Sequence, residues 1–299
     1  MACTDTQIEQ IAARMRSDIL KMITRAGSGH PGGSLSATDI VATLYFGDVL
    51  RYRADRPNWP ERDRFILSKG HAAPVLYAAL AQAGYFDLSE LATLRKLGSR
   101  LQGHPDSTKL PGVEVSTGSL GQGLSVAAGI AYGLWASAQE EQDSTAQQKA
   151  PTQQEVSPPQ VFVLLGDGEL EEGQVWEALM FSAHKNLANL IVIVDNNNLQ
   201  IDGCLDEIIN LGDIAAKFEA FGFKAIKTDG HDVSAIKQAL LEAVAYGEGP
   251  VAIIAHTIKG KGVSFMENQC SWHGKAPSIE LCDKALDEIG PLGELSEGV

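Results

Sequence analysis

The chain has 299 residues, of which 44% are hydrophobic and 21% are charged, and its formal net charge is −14. This composition is typical of a globular protein with one large or two small domains. The acidic balance and the lack of basic clusters argue against nucleic acid or an anionic membrane as a partner. No apolar run is long enough to span a bilayer. The four cysteines form no CxxC pair, which favours reduced thiols and a cytoplasmic protein.

The first half of the chain alternates helical patterns with glycine-rich loops. Residues 6–26 predict an amphipathic helix, and the segment SGHPGGSLS leads into a second helix with Ser36 as its N-cap. A short strand, RFIL, is predicted at 64–67, and a helix follows it. A third apolar helix is predicted from about 120 to 138.

Continuous apolar runs mark the second half as a parallel sheet. Residues 161–165, 190–194 and 251–255 are apolar throughout, and 223–229 is a shorter candidate strand. Continuous rather than alternating runs indicate strands that are covered on both faces, and helical patterns separate them. The sequence therefore predicts an α/β fold: a doubly wound, mostly parallel sheet with helices on both faces.

One segment differs in composition from its surroundings. Residues 139–160 are rich in Gln, Ser and Pro and have almost no apolar side chain, so burial cannot offset the entropy of ordering them. They predict a mobile surface insertion within a domain at 1–275. A C-terminal helix and a polar tail are expected at 276–299.

The stretch LLGDGELEEG, residues 164–173, places an aspartate between two glycines after a predicted strand. Strand, glycine turn and helix together indicate a phosphate site. A dinucleotide fingerprint fails because Glu171 stands where its third glycine should be, and the GKS or GKT of a P-loop is absent. A carboxylate at Asp167 would repel an anion unless a divalent cation lay between them.

A second oxygen donor follows at the next predicted strand end. Asn197 lies thirty residues after Asp167, in the segment DNNNLQIDG. That spacing suits a strand, helix and strand whose two strand ends meet at one sheet edge. Mg²⁺ commonly joins one or two protein oxygens to phosphates, so the pair predicts one magnesium–diphosphate site. The alternative is an acidic turn and an unrelated Asn-rich turn.

These motifs resemble a known family. GDGELEEG through DNNNLQIDG resembles the thiamine-diphosphate motif of thiamine enzymes. The segments SGHPGGSLS, DRFILSKGHAAPVLYA, GHPD, STGSLGQGLSVAAGIAYG, IKGKG and WHGKAP are similar to those of transketolases, in order and spacing. The resemblance covers about 5–275 apart from 139–160. It implies the diphosphate-binding domain of the thiamine-diphosphate-binding fold, with thiamine diphosphate and Mg²⁺ (or Ca²⁺ or Mn²⁺) as cofactors.

The resemblance also assigns the cofactor site. It implies that Asp167 and Asn197 bind the metal through their side chains and Leu199 through its carbonyl oxygen. The residues implied to contact the cofactor are Lys69, His71, Gly118, Leu120, Gly166, Asp167, Gly168, Glu169, Asn197, Lys259 and His273. Animal members read IAKTFKG where this chain reads IAHTIKG, with His256 in place of a lysine. Which positive group completes the diphosphate pocket is therefore left open.

Five of the seven histidines adjoin a glycine: His30, His71, His104, His231 and His273. A neighbouring glycine lets the backbone approach a ligand closely. By the resemblance, His71 and His273 contact the diphosphate, and His30 and His104 face the sugar. His104 is expected to bond the donor's terminal hydroxyl. His30 and His273 are candidates for proton transfer at the acceptor carbonyl, because imidazole exchanges protons near neutral pH.

Three further side chains have weaker assignments. Glu172 matches a family glutamate that communicates across the subunit interface with the partner's catalytic carboxylate; otherwise it is an exposed residue at a helix start. His231, in DGHD, is expected to be a turn or cap residue. His184 is expected on the solvated face of a helix.

A whole transketolase chain continues into a pyrimidine-binding domain and a C-terminal domain, and neither pattern occurs here. The resemblance therefore implies the N-terminal subunit of a two-component transketolase, assembled as α2β2 with a subunit that carries those domains. It would transfer a two-carbon ketol unit from a ketose phosphate to an aldose phosphate. Three alternatives stay open: a truncated gene product, the alpha subunit of a 2-oxo acid dehydrogenase, and a non-catalytic thiamine-diphosphate-binding remnant.

Overall fold

The computed structural model describes residues 3–146 and 158–291. Its five strands are β1 (Arg64–Leu67), β2 (Val161–Gly166), β3 (Leu190–Asn196), β4 (Lys224–Asp229) and β5 (Val251–His256). They form one sheet in the order β1-β2-β3-β5-β4, and every neighbouring pair is parallel. All the strands predicted from the sequence are confirmed.

Helices connect and cover these strands. They are α1 (Asp5–Ala26), α2 (Pro31–Ser36), α3 (Thr38–Phe46), α4 (Ala73–Gln82), α5 (Gln122–Ala146), α6 (Gly173–His184), α7 (Leu205–Ile208), α8 (Ile214–Ala220), α9 (Val233–Tyr246) and α10 (Ile279–Ile289). Short 3-10 turns occur at Gly70–Ala72, Leu88–Thr93, Gly168–Glu171 and Cys270–Trp272. None of the helices described is both long and apolar enough to cross a bilayer.

The apolar strand residues pack alternately on the two faces of the sheet. Phe162 and Leu164 join a core with α1, α3, α4 and α9. Val163 and Leu165 join a second core with α5, α6 and α8 on the opposite face. Because successive strand side chains point to opposite faces, a run without alternation supplies both cores at once. The doubly wound α/β fold is confirmed.

Helix α1 has the local signals that the sequence indicates. Thr4 caps it: its hydroxyl accepts from the Gln7 N–H at 3.3 Å, and its own N–H donates to Gln7 Oε1 at 2.8 Å. The helix ends at Gly27, whose φ of 64° is left-handed. This reciprocal cap and the glycine stop define the ends of the predicted helix.

Ser36 does not cap the second helix, so that prediction is wrong. Residues 31–36 form a helical turn of their own, with Pro31 at its start, and α3 begins after Ala37 without a side-chain cap. The Ser36 hydroxyl instead donates to Asp195 Oδ2. A serine caps a helix when its hydroxyl oxygen bonds a backbone N–H of the first turn. Here the hydroxyl of Ser36 is directed to the carboxylate of Asp195 instead.

The predicted insertion starts later than expected. Helix α5 was expected to end near 138 but continues to Ala146, so 139–146 are helical rather than part of a loop. Residues 139–146 contain Gln and Glu and no proline, and such residues extend a helix at little cost. Residues 147–157 lie outside the described residues.

The C-terminal segment contains the expected helix. Ser278 caps α10, which packs on α1 through Cys282 and Ala285. The division of the chain into 1–275 and 276–299 stays a prediction.

The sheet register brings the ends of three strands together. Gly166, the last residue of β2, pairs with Asp195, and Asn196 pairs with His256 at the end of β5. The loops that follow β2, β3 and β5 therefore leave the same edge of the sheet. In parallel α/β folds, ligands bind at this carboxyl edge.

Candidate active site

The two halves of the predicted metal motif meet at this edge. Asp167 is 1% exposed. One of its oxygens accepts from the Gly168 N–H at 2.9 Å, and the other accepts from the Asn198 N–H. In the same turn the side-chain oxygen of Asn197 accepts from the Leu199 N–H at 3.2 Å. The expectation that the two strand ends lie side by side is met.

The donor set suits a hard divalent cation. Asp167 offers a carboxylate, Asn197 an amide oxygen and Leu199 a carbonyl, and Mg²⁺ prefers oxygen ligands of these kinds. The Leu199 carbonyl already accepts a hydrogen bond from Lys259 Nζ at 2.8 Å, so a positive charge lies at one of these oxygens. Among residues 3–146 and 158–291, no cluster of three His, Cys, Asp or Glu offers a different kind of metal site.

The Asp167 carboxyl is in an electrostatically unfavourable place. Burial raises its pKa to about 6, and the neighbouring carboxylate of Asp195 adds to the increase, against hydrogen bonds from Asn198 and Gly168. Both effects oppose ionisation. A cation beside Asp167 would favour the ionised form, which is the form that binds metal.

Asp195 anchors a buried ion pair beside the metal motif. It is fully buried, and Lys69 Nζ and Ser36 Oγ donate to its Oδ2 while Thr257 Oγ1 donates to Oδ1. Burial alone would raise the pKa of Asp195, but Lys69 outweighs it and holds that pKa below its usual value. We did not predict this role from the sequence. The signal was present, since Asp195 is an acid that directly follows a buried apolar strand.

Two buried lysines bring positive charge to the cleft, beside the carboxylates of Asp167 and Asp195. Lys69 and Lys259 are 2% and 3% exposed. Burial, reinforced by the charge of Lys69, lowers the pKa of Lys259 to about 8. By contrast His256 is exposed, with its Nδ1 atom 3.3 Å from Asn196 Nδ2. The two buried lysines, and not the exposed His256, therefore place positive charge beside the metal motif.

Three histidines from distant parts of the chain form one cluster. The ring centroids of His30 and His71 are 5.2 Å apart, those of His30 and His273 5.4 Å, and those of His71 and His273 5.1 Å. In the part of the chain that the structure describes, Nδ1 of His30 and Nδ1 of His273 are buried without a hydrogen-bond partner. Buried polar atoms are rarely left unpaired, so a bound molecule is the natural partner.

The environment keeps these imidazoles neutral. Burial lowers the pKa of His30 to about 4, with further contributions from Arg95 and His104. Burial also lowers the pKa of His273 to about 3, and Lys259 adds to the effect. Burial also lowers the pKa of His71, and the charge of Lys69 adds to the effect. At neutral pH all three rings are therefore neutral and can accept a hydrogen bond, and the pKa values of His30 and His273 lie below the near-neutral range on which their predicted proton-transfer role rested.

His104 lies at the exposed side of the cleft, against a glycine that the sequence singled out. Gly118 has a φ of 143°, and a Cβ there would come within 2.9 Å of the His104 ring. Both the backbone conformation and the space therefore require glycine. Burial and Arg95 lower the pKa of His104. Leu120 is half-buried, and its carbonyl accepts from Gln174 Nε2 at 2.8 Å.

Glu169 ties three loops of the site together. Its Oε1 accepts from Ser68 Oγ and from the Gly121 N–H at 2.8 Å, and its Oε2 accepts from the Gly166 N–H at 3.1 Å. Since these contacts use both oxygens, the structure assigns Glu169 a scaffolding role. The N–H groups of Gly166 and Gly168 are likewise bonded to carboxylates. Their contacts with a cofactor, like that of Glu169, stay predictions.

The remaining predicted residues lie outside the cleft. Glu172 precedes α6, is exposed, makes no capping hydrogen bond and lies beside Gly121. His184 is exposed on α6, as predicted. His231 is more than a turn residue, because its ring bonds Asp39 and the Ile258 N–H. The sequence carries no local signal for these contacts, which join residues far apart in the chain.

Known proteins match this chain along almost its whole length. Residues 8–288 match the family described as transketolase, thiamine diphosphate binding domain. The 6-deoxy-6-sulfo-D-fructose transketolase subunit of a Clostridium species is 37% identical, over 95% of this chain and 98% of that protein. An apulose-4-phosphate transketolase subunit of Phocaeicola vulgatus is 35% identical, over 94% of this chain and 93% of that protein.

Longer transketolases match over only part of their length. The human transketolase is 40% identical over 94% of this chain but 42% of its own. The solved transketolase of Leishmania mexicana superposes with a TM-score of 0.86 at 33% identity, over 97% of this chain and 42% of that one. The chain thus spans about two fifths of these relatives. It belongs to the transketolase family, in which it corresponds to the thiamine-diphosphate-binding domain.

Proposed function

We propose that this protein is the thiamine-diphosphate-binding subunit of a two-component, Mg²⁺-dependent transketolase. It would transfer a two-carbon ketol unit from a ketose phosphate to an aldose phosphate. The observation that carries the proposal is the meeting of Asp167 with the 197–199 turn at the sheet edge that also holds the histidine cluster. Family membership supports the cofactor, and the geometry supports where it would bind.

The metal–diphosphate end of the cofactor fits the loops after β2 and β3. Asp167, Asn197 and the Leu199 carbonyl would hold Mg²⁺. Lys69 and Lys259 would balance the remaining negative charge, because both ammonium groups are buried at this edge. The Lys259 ammonium would leave the Leu199 carbonyl to the metal and turn to the phosphate oxygens.

The histidines would serve the sugar. Thiamine diphosphate, when bound, supplies the nucleophilic carbon and the electron sink. The protein's own part is to orient the sugar and to hold protons. His30 and His273 suit the orienting role, because their rings are neutral and each has a buried nitrogen without a hydrogen-bond partner in the described residues. His104, at the exposed side, would meet the donor's terminal hydroxyl, while Gly118 and Leu120 would border the aminopyrimidine.

A second chain is needed for the rest of the site. The two relatives that match along nearly their whole length are both named as subunits of transketolases. We propose a partner with pyrimidine-binding and C-terminal domains, in an α2β2 assembly around a twofold axis. Glu172 would meet the partner's catalytic carboxylate. A cytoplasmic location stays a prediction from the composition.

One exposed surface is suited to that partner. On the packed helices α5 and α6, Val126, Met180 and Phe181 are 39%, 56% and 38% exposed. Gly129 and Gly133 face open space on the same side of α5, where another backbone could approach closely. Apolar exposure of this kind is characteristic of interfaces. Glu172 directly precedes α6, one of the two helices that carry this surface, which supports a subunit interface that reaches the active site.

The test separates this function from its rival among thiamine enzymes. The reconstituted complex would be supplied with Mg²⁺ and thiamine diphosphate, and in separate assays either with a panel of ketose donors and an aldose phosphate or with a panel of 2-oxo acids. Products lengthened by two carbons support a transketolase. Release of CO₂ from a 2-oxo acid, without ketol transfer, would instead support a 2-oxo acid dehydrogenase component. The two relatives named as transketolase subunits carry different sugars in their names, so those names do not define the donor of this chain. The panel of ketose donors identifies that donor directly.

A further inference from the structure

A buried carboxylate outside the cleft is held by two partners. Asp39, on α3, is 6% exposed. Arg16, on α1, donates a hydrogen bond from one terminal nitrogen to Asp39 Oδ1 at 2.9 Å and another from its second terminal nitrogen to Oδ2. His231 Nδ1 lies 2.7 Å from Oδ2. We call Arg16, Asp39 and His231 the Asp39 clamp.

The ion pair keeps Asp39 charged. Burial alone would raise its pKa, but the Arg16 guanidinium and the hydrogen bond from His231 outweigh burial and hold the pKa below its usual value. A bidentate arginine is the geometry that best satisfies a buried carboxylate. The clamp therefore has a fixed negative centre to which His231 can donate.

The second ring nitrogen defines the state of His231. The backbone N–H of Ile258 donates to His231 Nε2 at 2.8 Å. A backbone amide can only donate, so Nε2 has no hydrogen, and the ring's proton must be on Nδ1. His231 is thus a neutral imidazole that links the amide of Ile258 to the carboxylate of Asp39.

Both arms of the clamp reach one loop, residues 257–262. His231 holds the loop at Ile258. Arg16 Nε donates to the Lys261 carbonyl at 3.2 Å. Gly262 has a φ of 92°, and a Cβ there would lie 3.1 Å from Arg16 Cδ, so glycine gives the arginine its approach. The loop is fixed on both sides of Lys259.

Lys259 is the residue between the two anchors. Its ammonium reaches the Leu199 carbonyl at 2.8 Å, beside the metal motif. The Gly260 N–H donates to the Gly32 carbonyl at 3.0 Å, which joins the loop to the segment that follows His30. The Lys259 side chain is buried, so the position of its ammonium group depends on where the backbone of loop 257–262 is held.

We propose that the Asp39 clamp positions Lys259, with His231 as a positioning residue that fixes loop 257–262 through its unprotonated Nε2. The inference rests on the proposed function in one respect, that Lys259 serves the metal–diphosphate site. The ring of His231 bonds Asp39 and Ile258, and the proposed function assigns it no contact with cofactor or sugar.

Two substitutions of His231 separate its two hydrogen bonds. In His231→Asn, the side-chain amide takes the place of Nδ1 and can donate to Asp39, but no acceptor remains for Ile258. In His231→Gln, the longer side chain carries its carbonyl oxygen to the position of Nε2, where it can accept from Ile258. His184→Asn, at an exposed histidine on α6, is the matched control.

Hydrogen exchange and cofactor affinity give independent readouts. In the chain alone, His231→Asn should speed amide exchange in peptides that cover 257–262 about tenfold, with other peptides unchanged. In the assembled complex it should weaken Mg²⁺-dependent binding of thiamine diphosphate about tenfold, while kcat at saturating cofactor stays within about twofold. His184→Asn should behave like the wild type in both measurements, and His231→Gln, which keeps the acceptor for Ile258 but loses the donor to Asp39, should be less impaired than His231→Asn.

Two results would overturn the inference. One is faster amide exchange in His231→Asn with unchanged affinity for thiamine diphosphate. The clamp would then stabilise the loop without affecting the cofactor site. The other is a His231→Gln variant as impaired as His231→Asn. If the wild-type complex binds no thiamine diphosphate, the proposed function is wrong. In that case, unchanged amide exchange of 257–262 in His231→Asn would show that the positioning role of the clamp is wrong as well.

A measurement on the wild type covers the case in which the variants do not fold. Nitrogen-15 NMR of the chain at neutral pH should give His231 a protonated Nδ1 and an unprotonated Nε2. A doubly protonated ring, or the opposite tautomer, would contradict the bond from Ile258 and with it the clamp.

Discussion

Asp167 accepts a hydrogen bond from the backbone N–H of Asn198, 31 residues further along the chain. The bond joins the loop after β2 to the loop after β3 and places Asn197 and Leu199 next to the carboxylate. It makes a single oxygen-lined site from two motifs that each resemble an ordinary turn. The first two predictions follow from the site that this contact builds.

Asp167→Asn should abolish Mg²⁺-dependent binding of thiamine diphosphate without unfolding the chain. The amide oxygen can still accept from Asn198, but the only carboxylate assigned to the metal is lost. We expect at least about a 100-fold loss of affinity in calorimetry on the assembled complex. Asp213→Asn, at an exposed helix cap, is the control. Near wild-type affinity for Asp167→Asn would mean that the metal ligands are assigned wrongly.

His104→Asn should lower turnover of the ketose donor and spare the cofactor. One lost hydrogen bond to a substrate hydroxyl costs about 1–3 kcal/mol, or roughly 5–200-fold in kcat/KM. Steady-state kinetics over a range of donor concentrations would measure the loss, and cofactor affinity would be titrated in parallel. A fall in cofactor affinity with unchanged donor kinetics would show that the roles of the histidines are exchanged.

The half-buried His30 predicts a pH dependence of stability. Its pKa is about 4 in the folded chain and near 6.5 when unfolded. Between these values the unfolded state binds the extra proton, so stability is lost as pH falls from 6.5 towards 4. His30→Asn removes this loss. The melting temperature of the wild type, relative to the variant, should therefore fall across that window, whereas His184→Asn should track the wild type. A constant difference between wild type and His30→Asn would contradict the prediction.

Met180→Asp should prevent assembly with the partner chain. It places a charge on the exposed apolar face of α5 and α6, and an unpaired charge in an interface is costly. We expect the dissociation constant, measured by analytical ultracentrifugation, to rise more than about tenfold. Leu241→Asp, at a 45% exposed leucine on α9, is the matched control. Equal effects of the two changes would place the interface elsewhere.

Much of this fold could be predicted because local patterns determine it. The strand at 161–165 is apolar throughout since it feeds two cores, and its pairing with 190–194 follows from a short crossover. The sequence also shows that a glycine adjoins each histidine of the cleft. Gly118 was assigned through the family resemblance, and in the structure its φ and its contact with the His104 ring both exclude a side chain.

What escaped prediction depends on contacts between distant residues. Ser36 reads as a helix cap, yet its hydroxyl bonds Asp195, 159 residues away. His231 reads as a turn residue, yet it contacts Asp39, 192 residues away. The end of α5 was misplaced for a different reason: polar residues without proline extend a helix as readily as they form a loop. Local residue propensities carry no information about which distant residue a polar side chain will bond.

The central claim is that this chain holds one half of a shared active site. It would be tested most directly by measuring ketol transfer for this chain alone, for the isolated partner chain and for their mixture, all with saturating Mg²⁺ and thiamine diphosphate. The carboxylate that activates the aminopyrimidine ring is assigned to the partner, so we predict activity only in the mixture, with the cofactor bound more tightly there than by this chain. Robust ketol transfer by this chain alone would contradict the account.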